Sequence, residues 1–158
     1  FQSNGSNVAT LDQAGLLTAT TFAGSGASLT ALPAAQVTGT MSGVNFTDVG
    51  LTTNAIGSIG GGTQDIDLTL GNSITGTVDT STTTFTFSNP TASDELCIFT
   101  LVLTNGGSQT VNFPASVDWA GGTAPTLTTA GTDILVFATL DGGTIWHGQT
   151  FSLDSKSP

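Results

Sequence analysis

Side chains able to do chemistry are few in this chain. Histidine occurs once, at His147, next to Trp146 on a segment whose alternation predicts a strand. A Ser-His-Asp hydrolase needs its imidazole beside a serine presented on a sharp strand-to-helix turn, and no Gly-x-Ser-x-Gly precedes a helical pattern. His147 therefore reads as an exposed or partly packed strand residue, and no catalytic residue is assigned. Glycoside hydrolysis asks for two carboxylates about 5 to 9.5 Å apart across a sugar cleft. Eleven acidic residues always permit some such pair, so their number selects none.

Asp65 and Asp67, two apart and hence on one strand face, could join Asp79 in holding Ca²⁺, but a solvated face is the simpler reading. Gly60-Gly61-Gly62-Thr63-Gln64-Asp65 lacks the glycine and the array of a calcium-binding nonapeptide repeat and reads as a hinge. The single cysteine, Cys97, excludes both an intrachain disulfide and a four-cysteine zinc site. Gly24-x-Gly26 has no strand and helix around it, and no Gly-Lys-Ser/Thr follows a glycine run. Neither a metal nor a cofactor is assigned.

The residues best suited to binding are Trp119 and Trp146, whose indoles can stack on sugar faces. Asp118 and Asp141, beside glycine-rich turns, could orient hydroxyls. With His147 these four form the candidate receptor-binding set: Asp118, Trp119, Asp141, Trp146 and His147. The competing reading places both tryptophans in a core or a subunit interface.

The elements that must position these residues follow from composition. The chain has 158 residues, eleven acidic side chains against one lysine and no arginine, a net charge of -10 and a pI near 4.1. Binding nucleic acid requires several cations to displace counterions, and only Lys156 is present. An anionic membrane surface is excluded on the same ground. No apolar run reaches the 18 or so residues of a spanning helix, so no membrane insertion is expected. Charged residues are 8% and hydrophobic ones 37%, with 21 glycines and threonine at about a fifth of the chain. Thr, Val, Ile and Phe fit pleated sheets and Gly and Asn fit tight turns, so the composition is all-β.

Period-2 strands are predicted over 65–70, 74–78 and 83–87. The most apolar run, Cys97 to Thr104, reads as a central strand covered on both faces. Asn105-Gly106-Gly107-Ser108 predicts a hairpin turn returning through Gln109 to Phe113. Short strands follow at 117–119, 126–128, 133–140 and 145–151, suggesting a sandwich or jelly roll with almost no helix. Ala31 to Val37 could make a single helical turn.

Residues 5–62 differ. Apolar residues stand singly (Val8, Leu11, Phe22, Leu29, Met41, Phe46 among them), fit neither the helical nor the strand period, and are separated by small residues. One such chain cannot bury enough surface to offset the entropy of ordering it. It must be a linker or share its apolar residues with symmetry copies around an axis. Phe1-Gln2-Ser3-Asn4 resembles the end of a tobacco-etch-virus protease site followed by vector linker. Residues 1–4 are thus expected to be an expression-tag remnant, and the native polypeptide to be longer, with this its C-terminal fragment.

Residues 15–39, with Phe22-Ala-Gly-Ser-Gly-Ala-Ser-Leu-Thr30, resemble shaft repeats of bacteriophage tail fibres. Thr84-Phe-Thr-Phe-Ser-Asn-Pro90, residues 111–125 (from Val-Asn-Phe-Pro to Thr-Ala-Pro) and Asp141-Gly-Gly-Thr-Ile-Trp146 are similar to the C-terminal β-domain of marine phage fibre proteins. The resemblance implies a homotrimer in the virion, outside the cell. Its residues 5–62 would form an extended fibrous shaft and residues 63–158 a jelly-roll-like β-sandwich knob. No His-x-His repeat of the kind that binds axial iron in some fibre tips is present. The expected function is non-enzymatic attachment to a bacterial surface glycan or outer-membrane protein, by avidity over weak sites. The acidic surface would favour neutral glycans or receptors bridged by divalent cations. The rivals are a structural or capsid-decorating fibre that contacts only other virion proteins, a polysaccharide depolymerase, and a monomeric adhesin or carbohydrate-binding module.

Overall fold

The computed structural model describes residues 48–156, and before them four short strands: β1 (Gln2–Ser3), β2 (Ser6–Asn7), β3 (Ala9–Leu11) and β4 (Leu17–Ala19). The chain divides into two units, Phe1–Phe46 and Thr47–Pro158. In the first, β1 pairs antiparallel with β2 and β3 with β4, the latter matching Leu11 with Leu17. Most of the expected shaft and the helical turn at 31–37 lie outside the described residues.

The second unit begins well before the expected division at 62/63. Strand β5 (Thr53–Ile59) is the edge of its larger sheet, and Ile59 is fully buried in its core. Isolated apolar residues such as Ile56 and Ile59 look unsupported in sequence because their partners lie some twenty residues downstream, where Ile59 faces Val78 across a parallel ladder.

Three successive windings of the chain each leave one strand in each of two sheets. β5 leads to β6 (Gly62–Asp67), β7 (Ser73–Val78) to β8 (Thr83–Ser88), and β9 (Ser93–Thr104) to β10 (Val111–Asn112). β5, β7 and β9 lie parallel in one sheet, and β6, β8 and β10 lie parallel in the other. The first sheet is completed by β12 (Thr132–Asp141), antiparallel to β9, then β13 (Trp146–Ser155), antiparallel to β12, then β11 (Val117–Trp119), parallel to β13. The orders are β11-β13-β12-β9-β7-β5 and β10-β8-β6.

All-β character is as composition predicts, but the pairing is not that of a jelly roll, whose Greek keys are antiparallel. The turn at Asn105–Ser108 does not make a hairpin. It carries the chain from the first sheet to the second, where Val111 faces Thr83 in parallel. Positive φ at Asn105 (55°) suits either route, so turn residues alone do not reveal the strand's partner. The strand expected over 65–70 stops at Asp67. There the carboxylate accepts from the Thr69 amide (2.9 Å) and hydroxyl (2.7 Å), turning Leu68–Leu70 into a short 3-10 helix. Residues 126–128 form no strand, since the Thr128 amide is taken by Asp133 rather than by a ladder.

The core lies between the sheets. From the first come Ile74, Phe99, Leu101, Leu103, Leu135, Phe137 and Trp146, and from the second Ile66 and Phe85, all at most 1% exposed. Phe87 crosses the gap, its ring 4.9 Å from Phe99, 5.1 Å from Phe137 and 5.4 Å from Trp146, each nearly edge-on. Each fully buried side chain of this size contributes about 1.5–3 kcal/mol, and each aromatic pair about 0.5–1.5 kcal/mol more.

β9 is central, as its sequence predicts, but only one of its faces is covered. Phe99, Leu101 and Leu103 point inward, whereas Ile98 is 44% exposed and Thr100, Val102 and Thr104 are half-buried. A central strand needs apolar residues on its solvent face only where something covers that face.

Candidate functional site

The candidate site forms where β11 joins β13. The Val117 amide donates to the Pro114 carbonyl (3.0 Å) and the Trp146 amide to the Ser116 carbonyl (2.8 Å), which brings 117–119 alongside 146–148. The parallel register then matches Val117 with Trp146, Asp118 with His147, and Trp119 with Gly148.

Strand alternation separates these residues. Val117 and Trp146 face the core, Trp146 being 1% exposed. Asp118 and His147 are exposed and share the opposite face of the sheet, where the register sets them side by side. Trp119, half-buried, packs edge-on against Phe113 (5.0 Å between centroids) and Phe137 (5.5 Å) and lies across Gly148. A Cβ at position 148 would sit 2.9 Å from two indole carbons, so glycine is what lets the ring settle there.

Past Trp119 the chain turns through Ala120–Gly122 and leaves a cleft of about 340 Å³ lined by Trp119, Ala120, Thr123, Pro125, Gly148, Gln149 and Thr150. No ionisable side chain lines it. An indole, a proline ring, two threonines and an amide offer stacking surface with hydrogen-bond donors and acceptors. That is the chemistry of weak recognition of a polar, uncharged ligand.

Of the five candidate residues, only Trp119 contributes to this cleft. Trp146 belongs to the core, consistent with the packing alternative, because an indole flanked by Phe87 and Phe99 has no free face for a ligand. Asp141 is tied into the hairpin turn between β12 and β13, where Gly142 and Gly143 take φ of 69° and 85°. Its carboxylate accepts from the Ile145 amide (3.0 Å) and the Thr139 hydroxyl (2.8 Å). The Ile145 bond first, then Thr139, holds its pKa below the ordinary 3.8. Thr123, Pro125, Gln149 and Thr150 were not legible as site residues, since no motif joins the two segments and only the β11–β13 register does.

The acidic residues considered as calcium ligands are engaged in local hydrogen bonds. Asp65 accepts from Thr86 (2.7 Å) and Ser88 (2.6 Å), and Asp79 from Ser58 (2.8 Å) and Thr80 (2.9 Å). Asp67 accepts from Asn89 (2.9 Å) as well as Thr69, bonds that lower its pKa, Asn89 foremost. Among the described residues no three His, Cys, Asp or Glu gather as a metal site. Cys97 is buried and free. A second cleft, about 420 Å³, lies at Leu51, Asn72, Leu96, Cys97 and Ile98 and is lined by no charged side chain. The chain matches no model of a known protein family, no curated protein and no solved structure.

Proposed function

We propose that the chain is part of a bacteriophage tail fibre that attaches the virion to its host as a homotrimer, contacting an uncharged surface glycan through the Trp119 cleft. It acts outside the cell, by binding and not by catalysis. The resemblance of the fibre-like segments supplies the biological setting. The observation that carries the binding part is the half-exposed indole of Trp119 at the wall of a cleft without ionisable groups. Three such clefts on one particle would turn weak single contacts into firm attachment.

The test is staining of bacterial cells by fluorescently labelled full chain. Susceptible cells are expected to stain, and Trp119→Ala to abolish staining while the far-ultraviolet spectrum stays that of a β protein. Equal staining by Trp119→Ala would refute the proposed cleft. One observation favours the structural rival: the edge contacts of Trp119 with Phe113 and Phe137 account for the indole without any ligand. That reading expects no bacterial strain to stain.

A further inference from the structure

Phe151 is the most exposed large apolar side chain of the described residues, at 75%, and the attachment reading makes no use of it. A single exposed ring is ordinary on a protein surface, but this one is aimed. On β13, Thr150 pairs with Leu135 and Ser152 with Ile134, so two adjacent residues of β12 are matched by residues two apart, and Phe151 is the extra residue of a β-bulge. Leu135 points into the core and Ile134 away from it. Thr150 is therefore inward and Ser152 outward, and alternation from Ser152 leaves Phe151 on the inner side together with Thr150. Trp119 lies on that same side, since its partner Gly148 pairs in turn with the buried Phe137.

Thr150 and Phe151 are both exposed, so the three-stranded sheet does not reach over this end of β13. A track along the strand thus runs from the indole lying across Gly148, past Thr150 at the cleft wall, to the phenyl ring just beyond the cleft. Three residues at about 3.3 Å each carry the chain from Gly148 to Phe151, a span of about 10 Å, comparable with the advance of two rings in an extended, equatorially linked hexopyranose chain. In such a ribbon each ring is turned over relative to the next, so rings i and i+2 present the same C–H face to the same side. Farther along the strand Asp154 and Lys156 bridge each other (2.6 Å), which suits an uncharged ligand.

We propose that Phe151 is a second stacking platform, and that the ligand of the Trp119 cleft is an extended chain of equatorially linked neutral hexopyranoses spanning both rings. This rests on the reading of the cleft as a glycan site and adds to it a linkage class and a minimum length. One sugar stacks on the indole and the sugar two positions along stacks on the phenyl ring, so a trisaccharide is the shortest ligand that engages both. A coiled, axially linked chain carries its third ring out of line with the first and reaches one platform only. Once the first stack is made the second is intramolecular, which multiplies affinity without any ionic contact.

The experiment titrates the full chain calorimetrically with cello-oligosaccharides and β-1,4-linked manno-oligosaccharides of increasing length, and with malto-oligosaccharides as the coiled comparison. The wild type is expected to bind a β-linked trisaccharide about tenfold or more tighter than the matching disaccharide or maltotriose. Phe151→Ala should remove that step, lowering trisaccharide affinity about tenfold and leaving disaccharide affinity as it was, whereas Phe151→Trp keeps the step and Trp119→Ala weakens both ligands. Because Phe151 is so exposed, urea unfolding should not register its loss. Affinity that does not rise from two rings to three, or that Phe151→Ala leaves unchanged, would overturn the second platform, and weakening by Trp119→Ala in the same titrations would leave the cleft reading standing. A changed mass in light scattering for Phe151→Ala with glycan affinity intact would overturn it too and assign the ring to a subunit contact. Absence of binding by every one of these chains overturns the proposal, and the cleft reading is then decided by the cell staining.

Discussion

Asp133 offers the sharpest test of how the fold supports the cleft. Its side chain is fully buried, and its oxygens accept from the Thr128 amide (2.6 Å), the Thr128 hydroxyl (2.7 Å) and the Asp154 amide (3.1 Å). One carboxylate therefore ties together the segment leading into β12 and the end of β13. The Thr128 carbonyl is also held, by the Gly107 amide (2.8 Å), and the Gly131 carbonyl by the Asn105 amide (2.7 Å), so residues 123–131 are fastened at their far end. Thr123 and Pro125, at the near end, are walls of the Trp119 cleft. Asp133→Ala leaves two amides and a hydroxyl without their acceptor in a partly buried place. Hydrogen bonds to a charged group are worth about 1.5–3 kcal/mol each, and partial rehydration recovers some of that, so the expected loss is about 3–5 kcal/mol. Asp133→Asn keeps the shape and one acceptor and should lose about 1–3 kcal/mol, and Thr128→Val about 1 kcal/mol. Urea unfolding followed by tryptophan fluorescence measures all three. Because Asp133 and Thr128 share bonds, the double variant should lose less than the sum of the singles. A loss below about 1 kcal/mol for Asp133→Ala, or strict additivity with Thr128→Val, would refute the argument that this carboxylate organises the segment.

Other expectations follow from single contacts. Gly148→Ala would put a methyl group 2.9 Å from the Trp119 ring and from Val117, so the indole must move, at about 1–3 kcal/mol of stability in thermal unfolding and with loss of glycan binding. Trp146→Ala empties the centre of the aromatic cluster and should lose about 3–5 kcal/mol, appearing as poor folding and not as a selective binding defect. The pKa values of Asp67 and Asp141 are lowered in the folded state, so their contribution is fully present above the ordinary value of 3.8 and is lost as pH falls through the lowered values. Stability measured by denaturant titration should therefore decline below about pH 4, and Asp141→Asn should flatten part of that decline.

Much of the C-terminal unit was legible because alternation is a local signal. Phe85 and Phe87 and the series Phe99, Leu101, Leu103 announce both a strand and its inward face. What alternation cannot state is the partner. The turn at Asn105–Ser108 has hairpin residues, yet it bridges two sheets, because β9 finds its antiparallel neighbour in β12, beyond the intervening β10 and β11. Ile98 and Val102 suggested a strand covered on both faces, and the sheet leaves them outward. The tryptophans show the same limit at the site: Trp146 and Trp119 are equivalent in sequence, one between turns and the other beside a Gly-Gly pair. The parallel register of β11 on β13 sends one to the core and the other to a cleft wall. Gly148 could have marked the seat of an indole only once that register was known.

The claim on which the account turns is that the Trp119 cleft binds an uncharged bacterial glycan. The most direct measurement is binding of the full chain, wild type and Trp119→Ala, to an array of purified bacterial surface polysaccharides. The account predicts retention on one or a few neutral glycans by the wild type, reduced at least about tenfold by Trp119→Ala, as loss of a stacking contact of about 1–3 kcal/mol implies. Retention by Trp119→Ala equal to that of the wild type, or binding confined to highly charged polysaccharides, would contradict it.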